Sequence, residues 1–449
     1  MIERNGDTAA MHRNGETVAT KLLRIADKAR REKSLRFTSL FHLMTREYLR
    51  ERFAGLRKDA SAGVDQQTKE KYGENMEENI DLLAERLHRM SYRPQAVRRT
   101  YIPKPGSKKK RPPGIPALED KIVRSGLTGI IETIYEQDFI EDSYGFRPGR
   151  CQHDALRELS RTVEKRPVNY IVEADIKGFF DNVSHEWIIK FLNHRIADTK
   201  VLRMVKRILK ARVMEGGVEY ESEKGTPQGG SISPLLANIY LHYVLDLWFE
   251  KEYRKECKGY ARIIRYCDDF VVCFQNQGEA VKFVESLMER LKQFGLELEL
   301  TKTKVMEFGR SASASARKKG RKPETFDFLG FTHYCSRTRD GKRFRMKRKT
   351  SRKKFTAKVR EFKEFLKSSR TLKTAEIMKS VQAKLRGHFN YYGVTDNSAG
   401  IARFNYEAEK LLYKWLNRRG KRKCMNWDKF KLLKEHYPLP KPKIVVCMF

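Results

Sequence analysis

Two apolar runs that close on carboxylates constrain this chain more than any other feature. Residues 169–175 read NYIVEAD, and residues 261–274 read ARIIRYCDDFVVCF. Short runs rich in branched and aromatic side chains are the pattern of buried strands. The first predicts one strand ending in Asp175. The second predicts two strands around a turn at Cys267 to Asp269. If these strands are neighbours, Asp175, Asp268 and Asp269 converge. Crowded carboxylates repel one another and are stabilised by a hard cation with oxygen ligands; magnesium so held keeps positions open for phosphate oxygens. Two such ions can activate a hydroxyl and stabilise a leaving pyrophosphate in an in-line displacement. Taken alone, an Asp-Asp pair at a hairpin turn is ordinary solvated turn chemistry, because Asp suits turns for local reasons.

Between these runs a long helix is expected. Ser233 can cap it, Pro234 suits its first turn, and Leu235, Ile239, Tyr243 and Leu247 recur every fourth residue. The middle third is therefore α+β. Upstream, residues 17–60 read as helix, ending near the turn-like SAGVD at 61–65, and a second helix runs from about Met76 to Met90. TYIPKPGSKKKRPPGIP, residues 100–116, is too dense in Pro, Gly and Lys for a helix and predicts an extended hairpin or loop. GRSASASARKKGRKP, from Gly309, predicts a flexible connector. From Arg337 to Arg370 there are sixteen Lys or Arg against three acids, with Phe355, Val359, Phe362 and Leu366 forming an apolar helical stripe opposite a positive face.

The charge sets the class of partner. Ninety-four Lys and Arg against 57 Asp and Glu leave a formal net charge of +37, a surface that calls for a polyanion. Nucleic acid fits, since each phosphate neutralised by a basic side chain releases counterions. No apolar run long enough for a membrane span occurs, and the N-terminus lacks the apolar stretch of a signal peptide, so a cytosolic protein with no membrane partner is expected. The seven cysteines form no CxxC pair, which argues against structural zinc and against a disulfide framework. A length of 449 residues predicts two or three packed units.

ADIKGFFDNVSH (174–185), GTPQGGSISPLLANIYL (225–241) and YCDD (266–269) occur in this order. With RPPGIPALEDKIV (111–123), YGFRPGRCQHDAL (144–156), FDFLGF (326–331), HFNYYGV (388–394) and PLPKPKI (438–444), they resemble the motifs of group II intron reverse transcriptases and maturases over nearly the whole chain. The resemblance implies an α+β right-hand polymerase fold: fingers and palm with an antiparallel sheet, then an all-α thumb or maturase domain and a short basic tail. It implies an N-terminal extension over 1–100, a fingers and palm core over 101–310, the end of the palm with primer grip and basic connector over 311–345, the thumb over 346–419, and a DNA-binding-like tail over 420–449.

Residue by residue, the resemblance makes Asp175 and Asp268 the principal ligands of two magnesium ions, with manganese as a substitute, and Asp269 the third catalytic carboxylate. Phe180 matches the aromatic that disfavours a ribonucleotide 2′-hydroxyl, although an isolated Phe is usually core. Gln228 and Gly229, followed by Gly230, match the loop against the incoming nucleotide, where glycine permits close approach. Lys104 and Arg111 match triphosphate contacts, and Lys302 matches a basic residue near the pyrophosphate. Phe328, Leu329 and Gly330 match the primer grip, with core strand packing as the plainer reading. Lys347, Arg348, Lys349, Arg352, Lys353 and Lys354 are the expected nucleic-acid contacts of the basic stretch. His185 and His388 are read as structural. The sequence departs from the family at Cys267, where Ala is usual, and at Pro113, where Leu or a similar residue is usual. It also ends without the Cys-pair nuclease extension of some relatives, so self-contained second-strand cleavage is not expected.

The function implied is RNA-directed DNA polymerisation from a DNA primer with dNTPs, together with binding of structured intron RNA, splicing assistance and retrohoming. Two alternatives stay open at this point: a domesticated enzyme of the same chemistry in host DNA repair or phage defence, and an RNA-binding splicing cofactor without polymerase activity.

Overall fold

The computed structural model describes residues 16–103, 110–226, 230–419 and 425–449, and for Pro103, Lys110, Arg111 and Arg317 the backbone alone. A four-stranded antiparallel sheet lies at the centre, in the order Lys304–Glu307, Tyr170–Ala174, Asp269–Phe274, Ala261–Tyr266. Successive side chains of a strand point to opposite faces. Here the two faces feed two different hydrophobic cores. Val172, Ile263, Phe270, Val272 and Phe274 enter the first, and Ile171, Ile264, Val271 and Cys273 enter the second. A sheet covered on both sides has no polar face, which is why these runs are apolar almost without interruption.

The first core is mainly helical and gathers Val18–Arg31, Leu118–Tyr135, His185–Asn193, Thr199–Leu209, Ile232–Leu241 and Gln277–Gln293 against one face. The second holds the helix Gln152–Lys165, a three-stranded antiparallel sheet of Thr325–Phe328, Phe331–Arg337 and Phe344–Thr350, and the helices Arg352–Ser368, Thr374–Tyr392, Ser398–Leu416 and Trp427–His436. Phe430 and Met448 are buried in it, so the C-terminal segment packs onto the preceding helices. Each fully buried Leu, Ile, Phe or Met contributes about 1.5–3 kcal/mol. A further four-stranded sheet, Gly114–Ile115, Val97–Arg99, Val213–Glu215 and Val218–Tyr220, has one parallel pairing, between Val97–Arg99 and Val213–Glu215. No helix among the described residues is long and apolar enough to cross a membrane.

Several expectations are corrected. Residues 17–60 do not form one helix. Val18–Arg31 and Arg46–Ala54 are separated by a stretch whose only helix is the short 3-10 turn Phe41–Leu43; the Asp198 carboxylate accepts the backbone N–H groups of Leu40 and Phe41, and Thr45 caps the second α-helix through Tyr48 N. The Gly309 segment is not simply a connector. It forms the helix Arg310–Lys318, with Ala312 and Ala316, one turn apart, buried against the neighbouring strand. Ser233 is not the cap of its helix; the capping position is Ser231, and Ser233 lies buried in the first turn. That helix continues past Leu241 at a wider π pitch over His242–Asp246 and again over Phe249–Tyr253. The turn of the second apolar run is Cys267–Asp268, since Asp269 already pairs with Tyr266 as a strand residue. The helix Met76–His88 and the antiparallel pairing of Ile102–Pro103 with Lys110–Arg111 agree with the sequence reading.

Candidate active site

Strand register brings the three acids to one place. Ala174 pairs with Phe270, so the next residue, Asp175, stands level with Asp269 at the end of the sheet, and Asp268 tops the turn beside it. Asp175 and Asp268 are half-buried and Asp269 is exposed. The Asp175 carbonyl accepts from Glu299 N at 2.8 Å, and Lys302 N closes a turn on the Glu299 carbonyl at 3.0 Å. This turn carries the Lys302 ammonium onto the Asp175 carboxylate. Lys302 is held above the usual lysine range, chiefly by its hydrogen bond to Asp175, with the charges of Asp175, Glu299 and Asp269 adding. Two residues before Asp175 on the same strand face, Glu173 is raised to about 7 by burial and then by the Asp327 carboxylate. It therefore titrates near neutral pH beside the trio.

Among the described residues no three His, Cys, Asp or Glu side chains are already closed around a metal position. The donors nevertheless fit a hard divalent cation. They are all carboxylate oxygens, they sit at the ends of adjacent strands, and a lysine ammonium stands in for the cation on Asp175. Cys267, buried within the turn, is a poor soft ligand, because burial and then the Asp268 charge keep its thiol well above the ordinary range.

Phe180 follows Asp175 by five residues. After Asp175 the chain turns at Gly178, in the left-handed region at φ +55°, into the short helix Phe179–Asn182. The start of the GTPQGG segment is bound to that turn. Thr226 N donates to the Phe180 carbonyl and Gly225 N to the Val183 carbonyl, both at 2.8 Å, and a His185 ring N–H donates to the Gly225 carbonyl at 2.6 Å. Gly225 is at φ +85°, and a Cβ there would lie 2.9 Å from the Phe180 and Asp181 carbonyl oxygens. A cavity of about 380 Å³ opens here between Phe180, Asp181, Gly225, Thr226, Lys224, Arg99 and Pro112. The expected nucleotide contacts Lys104, Gln228 and Gly229 lie outside the described residues, and for Arg111 only its strand backbone is described.

Leu329 and Gly330 form a two-residue hairpin turn between Phe328 and Phe331, both with positive φ, at +48° and +82°. Two left-handed residues make the turn that matches strand twist. Phe328 is buried in the second core. The turn is held from behind by Tyr391, whose hydroxyl donates to the Leu329 carbonyl at 3.0 Å, and by Ser351 N, which donates to the Gly330 carbonyl at 3.0 Å. Sequence reading missed Tyr391. It also missed Gly145, where a Cβ would lie 2.3 Å from Cys267 N, so the turn backbone rests directly on this glycine. The only sequence signal for either was its presence inside a motif, NYYG or YGFRPG.

The basic stretch divides. Arg352, Lys353, Lys354 and Lys349 are exposed, Lys347 is half-buried, and Lys349 lies 5.7 Å from the Tyr334 ring centroid. Arg348 is corrected: strand alternation turns it inward, where it is fully buried, bonds Ser160 Oγ, and has its guanidinium lowered to about 10 by burial. It cannot contact a nucleic acid. His388 is buried and stacked on Phe404 at 3.6 Å, and burial lowers it to about 3, in keeping with a neutral structural role.

Comparison with known proteins gives a consistent picture. The family described as reverse transcriptase (RNA-dependent DNA polymerase) matches residues 102–333, and the group II intron maturase-specific domain matches residues 352–433. Group II intron-encoded protein LtrA of Lactococcus lactis subsp. cremoris is 45% identical over 175 residues, 38% of this chain and 29% of that protein. The aligned stretch thus spans under a third of LtrA. Protein YkfC of Escherichia coli (strain K12) is 32% identical over 317 residues, 63% of this chain and 83% of that protein. Nuclear intron maturase 2, mitochondrial, of Arabidopsis thaliana is 33% identical over 111 residues, 24% of this chain and 15% of that protein.

Proposed function

Because the chain belongs to the group II intron reverse transcriptase and maturase family, we propose that it extends a DNA primer on an RNA template, with dNTPs as substrates and structured intron RNA as its partner. The observation that carries this reading is the register that sets Asp175 level with Asp269, beside the Asp268 turn. In this reading Asp175 and Asp268 hold two magnesium ions, or manganese in their place, and Asp269 is the third carboxylate. When bound, the ions supply Lewis-acid activation of the primer 3′-hydroxyl and charge neutralisation at the leaving pyrophosphate.

The protein's own side chains do the positioning. Phe180, at the mouth of the 380 Å³ cavity, closes against the sugar, and Gln228 with Gly229 lies along the base. Lys104 and Arg111 receive the triphosphate. Lys302, released from Asp175, faces the pyrophosphate. The Phe328–Gly330 turn, backed by Tyr391, grips the primer end. Lys347, Lys349, Arg352, Lys353 and Lys354 take the phosphates of the bound duplex or RNA. The unit division follows: fingers and palm to about residue 345, a thumb or maturase helical unit after it, and a basic tail from about residue 420. Splicing assistance and retrohoming extend the same RNA binding, in a bacterial cytosol or on the nucleoid.

Primer extension on an RNA template with magnesium tests the reading. The wild-type chain should make product and Asp268→Ala should make none. Absence of product from the wild type sinks it and leaves an RNA-binding splicing cofactor, and normal extension by Asp268→Ala sinks the assignment of the acids. Sequencing the RNA that co-purifies from the native host separates an intron partner from a domesticated role.

A further inference from the structure

Beneath the Cys267–Asp268 turn lies a buried polar network that the reaction scheme above does not use. Arg265 and Asp246 are both fully buried. The guanidinium donates through Nε to Asp246 Oδ1 at 2.7 Å and through Nη2 to Asp246 Oδ2 at 2.5 Å and Ser143 Oγ at 2.8 Å. Through Nη1 it donates to Asn238 Oδ1 at 3.0 Å and to the Cys267 carbonyl at 2.9 Å. An arginine has five N–H donors, and these bonds use all of them. Asn238 in turn donates to the Gly145 carbonyl at 2.6 Å, tying in the glycine on which the turn rests.

The turn needs holding. Cys267 sits at φ +59°, a left-handed conformation that strains a side-chain-bearing residue, whereas Asp268 is not in that region. The Cys267 carbonyl belongs to the peptide plane that joins Cys267 to Asp268. A bond on that carbonyl therefore sets the plane from which the Asp268 side chain departs. Stability alone does not account for the network, since an apolar pair of similar volume commonly replaces a buried ion pair without loss.

We propose that Arg265, oriented by Asp246 and Asn238, is the positioning residue of the catalytic turn, aiming the Asp268 carboxylate through the Cys267 carbonyl. This rests on the polymerase reading. The same contact explains how the turn tolerates cysteine at a left-handed position.

The test is the double variant Arg265→Met with Asp246→Leu, which removes both charges together and leaves none uncompensated. Its RNA affinity should stay near wild type, while its melting temperature should fall, because Ser143 Oγ, Asn238 Oδ1 and the Cys267 carbonyl lose their donor. Its single-turnover rate of dNTP addition should fall about 100-fold, the scale of a misplacement near 1 Å, with the dNTP dissociation constant little changed. Manganese affinity of the protein without nucleic acid, read by electron paramagnetic resonance, should weaken about tenfold. A stable double variant with wild-type rate and wild-type manganese affinity overturns the proposal. If the double variant does not fold, Asn238→Ala takes its place, with a rate loss of about tenfold expected and a wild-type rate overturning it. If the wild-type chain makes no product, the polymerase reading fails by itself, and unchanged manganese affinity in the variant still overturns the positioning role.

Discussion

Lys302 reaches across 127 positions of sequence to ion-pair with Asp175. The contact exists because the Glu299 amide is bonded to the Asp175 carbonyl, which pins the following turn over the strand end. The carboxylate proposed for metal and the lysine proposed for pyrophosphate are thus one ion pair. Replacing Lys302 by Met should slow single-turnover nucleotide addition by about 100-fold, the lower end of the range for loss of a positioned proton donor. Primer–template affinity should hold. A wild-type rate would remove Lys302 from the nucleotide site.

Phe180 is half-buried against Phe179, with ring centroids 5.3 Å apart, and lines the cavity beside Thr226. Shortening it to Val opens space where a 2′-hydroxyl would fall. The ratio of ribonucleotide to deoxyribonucleotide incorporation should rise at least about tenfold, since shape exclusion of one small group is worth about 1–3 kcal/mol. Competitive single-nucleotide incorporation measures it, and an unchanged ratio returns Phe180 to a packing role.

Gly145→Ala inserts a methyl 2.3 Å from Cys267 N and 2.9 Å from the Tyr266 carbonyl carbon. Backbone must move, at a cost of about 1–3 kcal/mol for overpacking, and the moving part is the turn that bears Asp268. Both unfolding midpoint and extension rate should drop. Gly216→Ala, in open space but left-handed at φ +59°, should lose about 1–2 kcal/mol and no polymerase activity.

His333 is buried, stacked on Phe326 at 4.9 Å, and lowered from 6.5 to about 3 by burial and then by the Arg348 charge. Its unfolded form takes a proton as pH falls through 6.5, while its folded form does not until about 3. The stabilisation is therefore complete above pH 6.5 and is lost toward pH 3, by about 1.4 kcal/mol per unit. Chemical denaturation of His333→Phe should decline less between pH 6.5 and 4.5, by about 2 kcal/mol, than that of wild type. Parallel declines would contradict the assignment.

Burial separates two basic positions five residues apart, Arg348 and Lys353. Binding of structured RNA should weaken steeply with salt, and exposed Lys353→Ala should lower the slope of log affinity against log salt by about 1. Arg348→Met should leave that slope unchanged, because the guanidinium is fully buried. Equal effects of the two variants would refute the division.

Much of the site was legible because it is written in short range. Asp175 ends a run of strand residues, and Asp268 and Asp269 sit at a hairpin, so local pattern located all three before any strand was paired. The FLGF turn was named through its resemblance to the family's motif. Arg348 was misread because a run of basic residues looks uniform in one dimension, whereas a strand sends alternate side chains inward. The helix Arg310–Lys318 was misread because Ser and Gly suggested a linker, and only packing of Ala312 and Ala316 against a strand reveals a helix.

What the sequence determined by itself was periodicity, charge and the motifs that carry membership of the family. Those follow from side-chain chemistry along the chain. Tertiary structure alone decided which distant groups meet: Lys302 with Asp175, Gly145 with Cys267, Arg265 with Asp246 and Asn238, and Tyr391 with Leu329. These contacts depend on strand register and on the path of buried helices. Both are settled by competition among many weak packing terms rather than by any residue's own preference.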